Sequence, residues 1–173
     1  MYKLLSLALL TSFLSITVLA EQGAGAMKII EKKASRIIDQ EIYELNDDQL
    51  NDIKQWEEIG KYVIAHYGID TASSIYENLD IVYEKWINDK QKKPSEGEVI
   101  LGLGTIFGDR IRSKHNSSWK LATSEEYGDN FVIVLKSGQQ IYPMDFVAKR
   151  VYGGGKELGF FSGMNAVLDK QAN

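Results

Sequence analysis

The chain has 173 residues, carries 20 Lys and Arg against 24 Asp and Glu, and contains two His and no Cys. The absence of cysteine removes disulfides, thiol nucleophiles and thiolate metal sites together. A net charge of −4 argues against nucleic acid as a partner, because counterion release needs clustered Lys and Arg, and the basic cluster Lys90, Lys92 and Lys93 stands at a predicted helix end where cations suit the dipole.

The first twenty residues read as an export leader. Lys3 supplies a positive start, Leu4 to Leu19 form an apolar run interrupted only by Ser and Thr, and Val18-Leu19-Ala20 offers the pattern that a bacterial signal peptidase reads. Cleavage is expected between Ala20 and Glu21, giving a periplasmic or secreted protein of net charge −5 once Lys3 is gone. A permanent anchor is the competing reading, since a mostly apolar run of this length approaches the roughly 20 residues of a bilayer span. The following Gln22-Gly23-Ala24-Gly25-Ala26, in place of a Lys or Arg cluster, favours cleavage and no stable membrane anchor. Residues 21–26 are expected to be a flexible linker and 27–173 a single globular domain, long enough to bury a core without staples.

Within that domain residues 27–45 are ambiguous: Ile30, Ala34, Ile37, Ile38 and Ile42 suit a helix, while Glu41 to Leu45 equally suits an extended segment. The first clear helix opens at the N-cap Asn46, answered by Gln49 three residues on, with Leu45 and Leu50 placed as a hydrophobic staple. Leu50, Ile53, Trp56, Gly60, Val63, Ile64 and Tyr67 recur at helical spacing up to a stop at Gly68. A second helix, starting at Asp70 or Thr71 and ended by Pro94, carries Ile75, Tyr76, Leu79, Val82, Tyr83, Trp86 and Ile87 on one face. With about three residues between them, these two helices are expected to form an antiparallel hairpin.

A third helix opens on the capping box Ser95-Glu96-Gly97-Glu98 and shows Val99, Ile100, Leu103, Ile106, Phe107 and Ile111 on its face. Leu101 adds apolar surface outside that face, so this helix is expected to pass through the centre. Gly104 and Gly108 share one stripe of it, and two residues that each cost about 1 kcal/mol against Ala imply a close-packed neighbour. After His115-Asn116-Ser117-Ser118 the period falls to two, with strands expected at Trp119 to Thr123, Phe131 to Leu135 and Gln140 to Tyr142. Pro143 closes the last strand, Met144 to Val151 reads as a short helix, Gly153-Gly154-Gly155 as a joint, and Leu158, Phe161, Met164, Asn165 and Leu168 as a final amphipathic helix. The fold class is therefore α+β: an N-terminal helical hairpin and a central helix packed on a small three-stranded antiparallel sheet, with C-terminal helices.

The chemical motifs are incomplete. Gly102-Leu103-Gly104-Thr105-Ile106-Phe107-Gly108 has one residue too many for a dinucleotide fingerprint and lies inside a helix. Gly153-Gly154-Gly155-Lys156 lacks the Gly that a phosphate loop needs at Arg150 and the Ser or Thr it needs at Glu157. His66 and His115 fall near the ends of different helices and compose neither a metal site nor a nucleophilic triad, and Asn116-Ser117-Ser118 reads as a loop rather than a glycosylation site. Glu125, Glu126 and Asp129 read as a solvated turn. Asp109 and Arg150 are each embedded among apolar residues and are expected to pair as a buried bridge. No catalytic residue, metal or cofactor is assigned.

Leu103-Gly104-Thr105-Ile106-Phe107-Gly108-Asp109, then Trp119, then Glu126-Tyr127-Gly128, then Tyr142-Pro143-Met144-Asp145-Phe146-Val147-Ala148-Lys149-Arg150 follow in an order and spacing that resembles a bacterial family, domain of unknown function 3806. The resemblance covers about residues 70–155 and implies one compact helix-plus-sheet unit; it brings no activity. Gly108, Asp109, Trp119, Glu126, Tyr127, Gly128, Pro143, Lys149 and Arg150 accordingly form the candidate structural or binding cluster. In it Gly108 permits close approach, Trp119 fills a core, Gly128 turns the chain, Pro143 ends a strand and Asp109 neutralises Lys149 or Arg150.

These features suit an exported, non-catalytic protein-binding module, such as an inhibitor or immunity-type factor, whose acidic surface meets a basic protein. The alternative is a small cell-envelope hydrolase using carboxylates near Asp109, Glu126 and Asp129.

Overall fold

The computed structural model describes residues 40–68, 74–91, 93–153 and 159–171. The expected leader and linker, residues 27–39, Asp70, Thr71, Gly154, Gly155 and Leu158 lie outside these segments. The described elements run β1 (Glu41–Glu44), α1 (Asp47–His66), α2 (Ile75–Asn88), α3 (Glu96–Lys114), β2 (Ser118–Ser124), β3 (Gly128–Val134), β4 (Gln140–Ile141), α4 (Pro143–Tyr152) and α5 (Phe160–Gln171).

The architecture is α+β, but among the described residues the sheet has four strands, in the order β1-β2-β3-β4, where the sequence suggests three. The added strand comes from the ambiguous stretch. Glu41–Glu44 is extended because it pairs antiparallel with β2, Glu41 opposite Thr123 and Glu44 opposite Lys120, a partner far away in the chain. The β2–β3 ribbon follows the expected alternation, with Trp119 opposite Ile133 and both buried, and Leu121 opposite Phe131.

Local signals set the helix starts. Gln49 N–H donates to Asn46 Oδ1 and Asn46 N–H to Gln49 Oε1, each at 2.9 Å, so two orphan amides at the start of α1 are satisfied reciprocally. Ser95 and Glu98 do the same for α3. Leu50, placed by its spacing on the inner face, is 42 % exposed, so α1 contributes Ile53, Gly60 and Val63 to the core instead.

The expected hairpin of α1 and α2 is not formed. Eight residues, 67–74, separate the two helices, which removes the constraint of a short turn. The main neighbour of α1 is α3, and that of α2 is α5. The C-terminal ends of α1 and α2 meet: Tyr67 Oη donates to Asp89 Oδ2 at 3.3 Å and Lys85 Nζ to the Tyr67 carbonyl at 3.0 Å. In an antiparallel hairpin the end of one helix would instead meet the start of the next.

Glycine explains why α1 chooses α3. A Cβ on Gly60 would stand 2.5 Å from the Gly102 carbonyl oxygen, and one on Gly102 would stand 2.7 Å from Gly60 Cα, so the two backbones touch where neither residue has a side chain. The close approach expected at Gly104 and Gly108 is also present. A Cβ at Gly104 would meet Met144 Cα of α4 at 2.9 Å, and one at Gly108 would meet the Trp119 ring at 2.4 Å. The central helix α3 thus presents three bare positions to three neighbours, and Val99, Leu103, Phe107 and Ile111 fill the core between them. An aromatic cluster of Phe107, Phe146, Phe160 and Phe161 ties α3, α4 and α5 together.

Candidate functional site

Four of the residues expected to cluster do meet. Pro143 and the Trp119 ring both press on the bare face of α3 at Gly108. Trp119 is 6 % exposed, and its Nε1–H donates to Asp109 Oδ1 at 2.9 Å, so the polar end of a buried indole finds a carboxylate one residue beyond that glycine. The same carboxylate oxygen accepts from Arg112 Nε at 3.1 Å. Asp109 is therefore held within α3 and by the sheet, and the expected Asp109–Arg150 bridge is not made. Arg150 lies instead over the Phe146 ring at 4.0 Å and the Phe160 ring at 5.2 Å, donating from Nη1 to the Phe146 carbonyl at 3.1 Å. Aromatic faces stabilise a guanidinium through the negative charge of their π systems. Lys149 is exposed and opposes the effect of burial on Asp145, whose carboxyl is pushed above its ordinary value by desolvation.

Glu126, Tyr127 and Gly128 lie apart from that group, in the β2–β3 turn. Gly128 takes φ +68°, which turns the chain as expected. Tyr127 Oη donates to Glu126 Oε1 at 2.7 Å and Thr123 Oγ1 to Asp129 Oδ1 at 2.7 Å, so both carboxylates are engaged locally. Thr123 stands four residues from Trp119 along β2, about 13 Å at roughly 3.3 Å per residue. Asp109, bonded to Trp119, is thus at the opposite end of the ribbon from Glu126 and Asp129, and the three carboxylates do not converge.

The structure adds two polar groupings that sequence spacing did not show. Asp80 of α2 caps α5 from a distance: Oδ1 accepts from Phe161 N–H at 2.9 Å, and Oδ2 accepts from Ser162 N–H at 3.0 Å and Ser162 Oγ–H at 2.6 Å. Asp80 stands four residues after Tyr76 and three before Tyr83, at the border of the apolar face of α2, and a carboxylate there was the available signal, but its target lies about eighty residues on. At the α1–α2 junction His66 Nε2 stands 3.9 Å from Asp89 Oδ2, and the Tyr67 hydroxyl is pushed up to about 12, by burial first and by the Asp89 charge second. Among the described residues no group of three or more His, Asp or Glu could hold a metal ion.

The remaining candidate surface is the outer edge of the sheet. All four residues of β1 are exposed, with Ile42 at 38 % and Tyr43 at 48 %, and among the described residues β1 ends the strand order. Glu41 and Glu44 flank those two side chains, and Asp47 and Asp48 follow in the first turn of α1. No family model, curated protein or solved structure matches the chain.

Proposed function

We propose that the chain is an exported, non-catalytic module that docks on a basic extended segment of another protein through the outer edge of β1. The observation that carries this reading is the four-residue edge strand with exposed Ile42 and Tyr43 between two glutamates. Among the described residues the outer edge of β1 has no partner strand, and such an edge is a template for adding a strand, with alternate side chains supplying the specificity. A second copy of the chain is a poor occupant, because antiparallel pairing of β1 with itself sets Glu41 against Glu44, and like charges directly opposite destabilise a pair. The leader reading of residues 1–20 supports export, and the resemblance to domain of unknown function 3806 over about residues 70–155 is part of the same proposal.

A photoreactive residue installed at position 43 in cells tests the docking. One discrete adduct is expected, absent when the photoreactive residue stands at the exposed Tyr62 of α1 and lost when Glu41 and Glu44 are changed to Lys. Equal labelling from both positions would remove the edge strand from consideration. Intact mass of the protein released by osmotic shock tests export, with a chain starting at Glu21 expected.

A further inference from the structure

The two faces of the β1 edge are not equivalent. Strand register carries each β1 residue inward across the ribbon as a row on one face: Tyr43 stands opposite Leu121 and Leu121 opposite Phe131, while Glu41 stands opposite Thr123 and Thr123 opposite Asp129. Both rows lie on the face that α1 covers, where the Trp56 ring meets Phe131 edge-on at a centroid distance of 4.9 Å. The first row is aromatic or aliphatic throughout and leaves Tyr43 exposed at its outer end. The second row holds two carboxylates, and among the described residues neither has a cation beside it: Glu41 accepts from the Tyr43 hydroxyl and Asp129 from Thr123 Oγ1.

The opposite face lacks both features. There Glu44 already accepts from Lys120 Nζ, and Ile42 leads inward to Ala122 and Asn130. A cation added opposite Glu44 would compete with Lys120, whereas one opposite Glu41 would supply the charge that its row lacks. Every strand pair among the described residues is antiparallel, and antiparallel ladders are slightly more stable per residue than parallel ones. An incoming strand paired in that way meets Tyr43 first and Glu41 two residues later along its own direction, with both of its side chains on one face.

We infer that the β1 edge recognises an apolar residue followed two positions later by Lys or Arg, on a strand added antiparallel to β1. The apolar side chain extends the row of Tyr43, Leu121 and Phe131, and the cation faces Glu41. That pattern rests on the proposed docking at β1 and adds a direction and a face to it.

Two capped hexapeptides of identical composition, acetyl-Ser-Thr-Phe-Thr-Lys-Thr-amide and acetyl-Ser-Thr-Lys-Thr-Phe-Thr-amide, titrated into the purified protein and followed by amide spectra, test the order. The first should shift the amides of residues 41–44 and bind about fivefold more tightly than the second, as two favourable cross-strand pairs on an exposed edge allow. E41Q should remove most of that preference and E44Q should keep it; both positions are exposed, so both variants fold. Equal affinity for the two peptides, tighter binding of the second, or a preference that survives E41Q would overturn the recognition order while leaving docking at β1 in place. No shift at residues 41–44 with either peptide at millimolar concentration would overturn the order and the docking together.

Discussion

The indole Nε1–H of Trp119 ends on Asp109 Oδ1 at 2.9 Å, beside a glycine that leaves room for the ring and nothing larger. Asp109 is thereby committed to the sheet, which explains why a charge among apolar neighbours does not require Arg150.

Removing the acceptor should strand the indole. Asp109→Ala is expected to cost about 1–3 kcal/mol, and Trp119→Ala about 3–5 kcal/mol as large-to-small aromatic changes do. Asp109→Asn and Arg150→Met should be additive to within about 0.5 kcal/mol, because the two residues share no bond. Denaturant melts of the two single variants and the double variant check this; a coupling above about 1 kcal/mol would restore the ion pair.

Glycine replacement should sort by place. Gly60→Ala, Gly102→Ala and Gly108→Ala each force a Cβ to within 2.4–2.7 Å of another chain segment, so overpacking of about 1–3 kcal/mol should exceed the roughly 1 kcal/mol gained in helix propensity. Gly97→Ala and Gly163→Ala meet nothing within 4 Å and should be neutral or stabilising by up to about 1 kcal/mol. Thermal melts of the five variants would show two groups, and a stabilised Gly102→Ala protein would contradict the α1–α3 contact.

Asp80 should matter to α5 more than to its own helix. Asp80→Ala leaves the Phe161 and Ser162 amides without an acceptor and should cost about 1–3 kcal/mol. Hydrogen exchange should accelerate first between Phe161 and Leu168, with α3 amides still protected. Unchanged protection of α5 would mean that burial of Phe160, Phe161 and Leu168 alone docks it.

Acid stability should carry two opposing contributions. Backbone and hydroxyl donation by Ser95 holds Glu98 below its ordinary 4.5, so the unfolded chain binds the proton more readily. The stability from Glu98 is present above 4.5 and is lost as the pH falls toward the folded value. Burial, only partly offset by Lys149, lifts Asp145 above its ordinary 3.8, so there the folded state holds the proton and stability falls as the pH rises through that window. Glu98→Gln should therefore flatten the acid limb of a stability–pH curve, and Asp145→Asn should raise stability at neutral pH. The opposite sign for Asp145→Asn would show that its charge is compensated in the fold.

The candidate site was legible only in part. Gly108 and Trp119 stand out because a helical glycine and an aromatic in an alternating strand each carry a packing requirement that neighbours in sequence do not meet. Which group answers that requirement is not written nearby: Trp119 meets Gly108 and Asp109 only after the turn through Asn116 at φ 47° reverses the chain. Grouping Glu126 to Gly128 with them followed the family resemblance, and the length of the β2–β3 ribbon separates them.

What the sequence determined by itself is what acts over one turn of helix or one strand pair. Asn46 with Gln49, Ser95 with Glu98, the apolar spacing of Tyr76 to Trp86 and the alternation from Trp119 to Thr123 all act between residues a few positions apart, where chain entropy adds little cost to contact. The tertiary structure alone decided the pairing of Glu41–Glu44 with β2, the contact of Gly60 with Gly102, the reach of Asp80 to α5 and the partner of Asp109. Each of these chooses among several chemically adequate partners, and the choice follows from which backbones can approach most closely once the core around α3 is filled.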